Sequence, residues 1–277
     1  MLKLIADSSA DLFVSKENVS FQSIPMTIHA GERTFVDDAA LDTDEMLNYL
    51  AAYKGKSGTA CPGPESWMKA FDGADEIFVV TVTSQLSGTY QSAMAARGLY
   101  LQSHPEVKIH VFDSLTTGPE MWLLLEKLSE LGAQEKCFEE LREAGEAYLA
   151  TTRLAFCLRS LHNLAQNGRV SQLAAGAVGL LGIRILAVAS PGGTIELAEK
   201  CRGDRKAQIA MIENMLELGY HGGKVRISHA EDPAAALRLE IALHARFPQA
   251  DITITPCQGL CCYYAERGGI LVGFETA

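Results

Sequence analysis

No run in the sequence reaches the roughly eighteen apolar residues that a bilayer span requires. The nearest, residues 173–188, is shorter and is broken by Arg184. Its glycines and alanines predict a tightly packed internal helix, so no membrane span is expected. No charged leader with a long apolar run opens the chain, so no export signal is read and the cytoplasm is the expected location. Basic charge is scarce, with 24 Lys and Arg against 34 Asp and Glu and a net charge of −10. Nucleic acid, which calls for clustered Lys and Arg, is therefore not an expected partner. The seven cysteines are odd in number and lack framework spacing. No CxxC pair or adjacent histidine accompanies Cys257, Cys261 and Cys262, so reduced thiols and no metal site are expected. Enzyme fingerprints are missing too: GxGxxG, GxxxxGK followed by Ser or Thr, HExxH, and a GxSxG around Ser87. No cofactor is expected.

What is present is a long, apolar chain of 277 residues, 48% of them hydrophobic. That is enough for two lobes. The predicted class is α/β: residues 1–150 form an N-terminal lobe with a mainly parallel sheet covered by helices, and 151–277 form a C-terminal α+β lobe. In the first, apolar strands at 2–6, 76–82 and 108–112 each lead into a hydroxyl-bearing loop and then helical pattern. Residues 20–29 and 33–36 read as strands joined at Ala30-Gly31-Glu32, followed by a helix over 44–53 with Asp42 or Thr43 as its cap. Helical pattern fills 119–150. In the second lobe, strands are predicted at 153–158, 184–189, 224–228, 251–255 and 270–274. Pro191-Gly192-Gly193 turns a hairpin into a strand at 194–198. Helices follow near 204–218 and 233–246. Asn167-Gly168-Arg169-Val170-Ser171 reads as a turn into a helix that Ser171 caps.

The candidate binding residues come from where hydroxyls fall. Three strands of one parallel sheet end at Ser8-Ser9, at Thr83-Ser84 with Ser87 and Thr89, and at Ser114 with Thr116 and Thr117. In open α/β sheets ligands sit outside the carboxyl ends of the strands. A helix N-terminus there offers free N–H groups and positive dipole. Hydroxyls beside such amides make a neutral cradle for a carboxylate or phosphate. Ser87-Gly88-Thr89 is the sharpest instance, because Gly88 admits close backbone approach and a helix starts at once. Thr59 lies in Gly58-Thr59-Ala60-Cys61-Pro62-Gly63-Pro64, read as a rigid loop. Among seven histidines, His229 at the end of a predicted strand stands out. Arg202, before the helix start at Gly203-Asp204, could face an anion or a partner.

These segments together resemble the DegV family of bacterial lipid-binding proteins. The matching residues are Ile5-Ala6-Asp7-Ser8-Ser9-Ala10-Asp11-Leu12, Ser23-Ile24-Pro25-Met26 and, most specific, Ser87-Gly88-Thr89-Tyr90-Gln91-Ser92-Ala93. Val111-Phe112-Asp113-Ser114, Gly168-Arg169-Val170-Ser171 and Arg202-Gly203-Asp204-Arg205-Lys206-Ala207 continue the series in family order. The resemblance implies a long-chain fatty acid as ligand, its carboxylate gripped by Ser87 and Thr59 and its tail in a channel between the lobes. Apolar small residues at 174–181 would lie near that tail. It also implies a separate fatty acid kinase as partner, met by Arg202, and no bond chemistry in this chain. Two departures stand out. The family's Thr-Ser-Gln-Pro-Ser loop is here Thr59-Ala60-Cys61-Pro62-Gly63. The family's histidine and following Gly-Pro-Gly align with Tyr264 and with Glu266-Arg267-Gly268, which places a neutral phenol and a carboxylate where the kinase would meet the ligand. The competing reading is an enzyme acting on a small organic acid, by phosphotransfer or with Ser87 as nucleophile; it demands a base within reach of Ser87. A sensory protein for another acid is the third.

Overall fold

The strand at Leu2–Asp7 (β1) is apolar toward both faces, and such a strand is stable only when helices cover both sides. The computed structural model, which describes residues 1–12, 19–171 and 182–276, places it there. β1 pairs in parallel with Ser20–Ile24 (β2) on one side and Glu76–Thr81 (β6) on the other, and β6 pairs in parallel with Lys108–Asp113 (β7). One face packs Ile5, Ile77 and Val79 on helices Pro64–Phe71 (α2) and Thr89–Ser103 (α3), through Trp67, Phe71 and Tyr100. The other packs Leu4, Phe78 and Val80 on Pro119–Ala133 (α4) and Phe138–Leu149 (α5). The helical stretch read over 119–150 is thus two helices.

The strand expected over 20–29 is two strands in different sheets. Pro25 has no N–H to give a ladder, so β2 stops at Ile24 and the chain turns. The N–H of Met26 goes to Ser8 Oγ instead, at 3.0 Å. Thr27–Ala30 (β3) then pairs antiparallel with Arg33–Val36 (β4) and with Ser57–Ala60 (β5). β5 includes Thr59, read from sequence as part of a loop. Its four small residues carry no apolar alternation to announce a strand. Between β4 and β5 lies Thr43–Ala52 (α1), capped by Asp42, whose carboxylate accepts from Glu45 N–H at 2.9 Å.

The second sheet has six strands in the order β10-β9-β8-β13-β11-β12. These are Thr152–Leu158 (β8), Ile183–Ala189 (β9), Ile195–Arg202 (β10), Lys224–His229 (β11), Asp251–Pro256 (β12) and Ile270–Glu275 (β13). All neighbours are antiparallel except β11 and β12. β10 runs four residues beyond the expected end at Ala198, through Glu199 and Lys200. It is an edge strand whose exposed face tolerates charge. Asp204–Glu217 (α7) and Pro233–Arg246 (α8) cover one face around Met211, Met215, Leu239 and Phe274. The opposite face carries Leu154, Phe156, Leu158 and Leu271, and turns toward the parallel sheet. His162–Gln166 (α6) and Gly259–Ala265 (α9) complete that side. The apolar helix expected at 174–181 lies outside the described residues. Among those that are described, no helix is long and apolar enough to cross a membrane.

Candidate functional site

The carboxyl ends of β1, β6 and β7 meet the apolar face of the six-stranded sheet, and a cavity remains between them. It is a void of about 810 Å³, its open mouth included. Most of its wall is aliphatic or aromatic: Met26, Leu86, Leu154, Phe156, Leu164 and Ile195 are examples. Its polar groups gather at Ser87, Thr59, Tyr264 and Arg169, and a separate hydroxyl strip is formed by Thr83, Thr116, Thr117 and Thr194.

Ser87 stands in the loop between β6 and α3, and its Oγ is 2.8 Å from Thr89 Oγ1. Thr89 is the first residue of α3 and is fully buried; its N–H reaches Ser87 Oγ at 3.4 Å. Thr59 Oγ1 lies 2.8 Å from the Tyr264 hydroxyl. β5 and α9 bring these two side chains together from positions 205 residues apart. Burial raises the Tyr264 pKa above its ordinary value, partly offset by Thr59 and Arg169, so the phenol stays neutral. Arg169 has its guanidinium carbon 5.9 Å from the Tyr264 ring centre, and its Nε donates to the Leu86 carbonyl at 3.1 Å. In the sequence Arg169 stands at one of two basic sites of an acidic chain, with nothing to assign it a ligand.

Other expected positions fall elsewhere. Ser8 does not line the cavity: it is fully buried, donates to Asp37 Oδ2 at 2.7 Å and accepts the Met26 N–H. Ser114 is also turned away, its Oγ donating to the Thr116 carbonyl at 3.2 Å within the loop after β7. Both hydroxyls shape the ends of their strands. Gly88 has φ −76°, and a Cβ there would meet only Cys61 Sγ, at 3.6 Å, an ordinary contact. Its conformation does not demand glycine. Tyr264, expected to face a partner, is instead part of the cavity wall. Arg202, the last residue of β10, is exposed. Glu266 Oε1 accepts the N–H of Asn163 at 3.1 Å. His229 is not a cavity residue; burial lowers its pKa and its Nδ1 has no hydrogen-bond partner. Cys257, Cys261 and Cys262 are buried free thiols, with Cys262 Sγ 3.3 Å from the Cys257 carbonyl. The sequence reading also missed two buried acids, Asp11 and Asp37, which lie behind α9.

Among the described residues, no base lies within hydrogen-bonding distance of Ser87; its partner is another hydroxyl. The arrangement offers, among the described residues, neutral donors, one guanidinium and an apolar chamber. That suits holding an amphiphilic anion.

Comparison with known proteins gives relatives over the whole length. The model of the DegV family of uncharacterised proteins matches residues 1–276. A DegV domain-containing protein of Streptococcus pneumoniae is 44% identical over 276 residues, 99% of this chain and 98% of that one. Among solved structures, a DegV family protein from Eubacterium eligens loaded with heptadecanoic acid is 45% identical, with a TM-score of 0.98 and 100% of both chains covered. The Streptococcus pneumoniae Fatty Acid Kinase (Fak) B3 protein, loaded with linoleic acid, is 43% identical at a TM-score of 0.98, covering 100% of this chain and 99% of that one. A DegV family protein from Ruminococcus gnavus, refined with vaccenic acid, is 30% identical at 0.91, with 99% of each chain covered.

Proposed function

This chain belongs to the DegV family, and from that premise we propose that it binds a long-chain fatty acid between its two lobes and presents the carboxylate to a fatty acid kinase. The observation that carries the reading is the cavity itself, with polar side chains gathered at Ser87, Thr59, Tyr264 and Arg169 beside a wall of aliphatic and aromatic residues. Ser87 and Thr59 hold the carboxylate, with Tyr264 and Arg169 alongside, and Thr89 orients Ser87. Gly88 belongs to the same turn, while Ser8 and Ser114 act only by shaping the loops around it. The relatives loaded with heptadecanoic, linoleic and vaccenic acids support the ligand class, and the Fak B3 relative supports the partner. Arg202, exposed at the end of β10, is the residue assigned to the kinase encounter. The lobes divide near residue 150, a reading supported by a six-stranded sheet drawn wholly from 152–275. Binding rather than catalysis is the chain's own task, since Ser87 is paired with a hydroxyl and not with a base. Seven free thiols suit a reducing cytoplasm.

The test is mass spectrometry of material extracted under denaturing conditions from the purified protein, together with titration of a C16 or C18 fatty acid. A stoichiometric long-chain acid is expected. Its absence, with no measurable affinity for acids of eight to eighteen carbons, would overturn the reading.

A further inference from the structure

Asp11 and Asp37 reach across the seam between the lobes to the first turn of α9. Asp37 follows β4 and is fully buried. It accepts the Ser8 hydroxyl at 2.7 Å, the Gly259 N–H at 2.7 Å and the Leu260 N–H at 2.9 Å. Asp11 Oδ1 accepts the neighbouring Gln258 N–H at 2.8 Å, and Cys261 and Ser228 stand beside the same carboxyl. Three successive amides of the second lobe are therefore held by two carboxyls of the first. The fit is close enough to require glycine at 259: a Cβ there would lie 2.6 Å from Asp37 Oδ1 and 2.5 Å from Leu41 Cδ2. α9 in turn supplies Leu260, Cys261, Tyr264 and Ala265 to the cavity wall.

We propose that Asp11 and Asp37 are positioning residues for the cavity, holding α9 and its Tyr264 in place across the seam, and that parting of this seam, which hydrates both carboxyls, speeds ligand exchange. The proposal rests on the fatty acid reading for what is exchanged, but not for the seam. The groups facing the pair are acids and thiols. Asp37 faces Asp7 from the end of β1, and Asp11 faces Asp37, Cys261 on α9 and Ser228 at the end of β11. Cys257, after β12, faces Asp11 in turn, whereas His229 beside Ser228 looks toward Asp232. Burial pushes Asp11 up to about 7 and Asp37 to about 6. Parting the seam returns them toward the ordinary carboxylate range, so opening releases protons. Opening is then favoured as pH rises through 6 to 7 and resisted below it.

Amide hydrogen exchange across 258–266 in the ligand-free full chain, corrected for intrinsic rates between pH 5.5 and 8.0, reads the seam. Release of cis-parinaric acid to excess albumin reads ligand exchange. In the wild type, protection should fall and release should quicken by roughly tenfold across this range, against a ceiling of ten per pH unit for each proton released. Asp11→Asn keeps the acceptor toward Gln258 and cannot ionise, so its pH dependence should be shallower and its release slower at pH 8. Asp37→Asn offers two donors one acceptor oxygen, so protection at Gly259 and Leu260 should drop at every pH. Unchanged wild-type protection over the range would overturn the proposal, and so would an Asp11→Asn profile identical to wild type. If Asp37→Asn fails to fold, those two measurements still decide. Failure of cis-parinaric acid to bind at all would count against the fatty acid reading alone, since amide exchange needs no ligand.

Discussion

At the scale of single residues, the head of the cavity depends on paired hydroxyls that neither partner could supply alone. Thr59 and Tyr264 hold each other at 2.8 Å, as do Ser87 and Thr89. Ser87→Ala removes one hydrogen bond to a charged group, which is worth about 1.5–3 kcal/mol, and should weaken fatty acid binding roughly tenfold to a hundredfold in a calorimetric titration. Tyr264→Phe keeps the ring against Arg169 but strips Thr59 of its partner. The expected loss is smaller, about 1 kcal/mol or roughly fivefold. A loss for Tyr264→Phe equal to that for Ser87→Ala would mean that the phenol is itself the main grip. Ser87 could be proposed from the sequence because motif and hydroxyl placement agreed, whereas Thr59, by itself an unremarkable loop residue, came from the family resemblance alone. Tyr264 was read as facing a partner, and nothing in a linear sequence says that α9 turns it inward onto β5. Asp37 was illegible: an acid beside another acid in Val36-Asp37-Asp38 reads as solvated surface until its three donors are seen.

At the scale of elements, the sheet strands with unbroken apolar runs were legible, and the short polar ones were not. β1, β6 and β7 announce themselves because both faces are buried. β5 does not, being four small residues at the edge of a three-stranded sheet, and β10 was cut short because its charges look like a loop. The turn between β9 and β10 was read correctly, and it does more than reverse the chain. Its Gly193 carbonyl accepts the Thr83 hydroxyl at 2.8 Å, tying the hairpin tip to the loop after β6 across the cavity. Gly193 has φ +81°, and a Cβ there would sit 2.3 Å from Thr83 Oγ1 and 3.2 Å from Leu115 Cα. Gly193→Ala must therefore displace the tip, at a cost of about 1–3 kcal/mol. Thermal unfolding should occur roughly 2–10 °C lower, with faster fatty acid release. A Tm equal to wild type would show that the tip relaxes freely and is no fastening.

At the scale of the whole molecule, the interior holds more acid than its surroundings favour. Burial raises Asp7 and Asp37 to about 6 and Asp11 and Glu120 to about 7, against 3.8 to 4.5 for the free groups. Glu120 makes a further bond between the lobes, accepting the Thr152 hydroxyl at 2.8 Å. Between about pH 4 and 7 the folded chain binds more protons at these four sites than the unfolded one, so their contribution to stability is present at the acidic end and lost as pH rises. His110 and His229, both lowered by burial, act in the opposite sense below about pH 6.5, but they are two against four. Calorimetry should find the Tm lower at pH 8 than near pH 5.5, and Asp11→Asn should narrow that gap; a Tm that climbs steadily to pH 8 would contradict this balance. The order of strands in the second sheet has a consequence in time. β13, Ile270–Glu275, lies between β8 and β11 and bonds to both, whereas the parallel sheet is complete by Asp113. During synthesis the first sheet can form while most of the chain is still to come, but the second stays split into two unjoined halves until residue 275 has been made. The chamber's far wall therefore arrives last, and a nascent chain displays Thr59 and Ser87 well before the cavity can close over them.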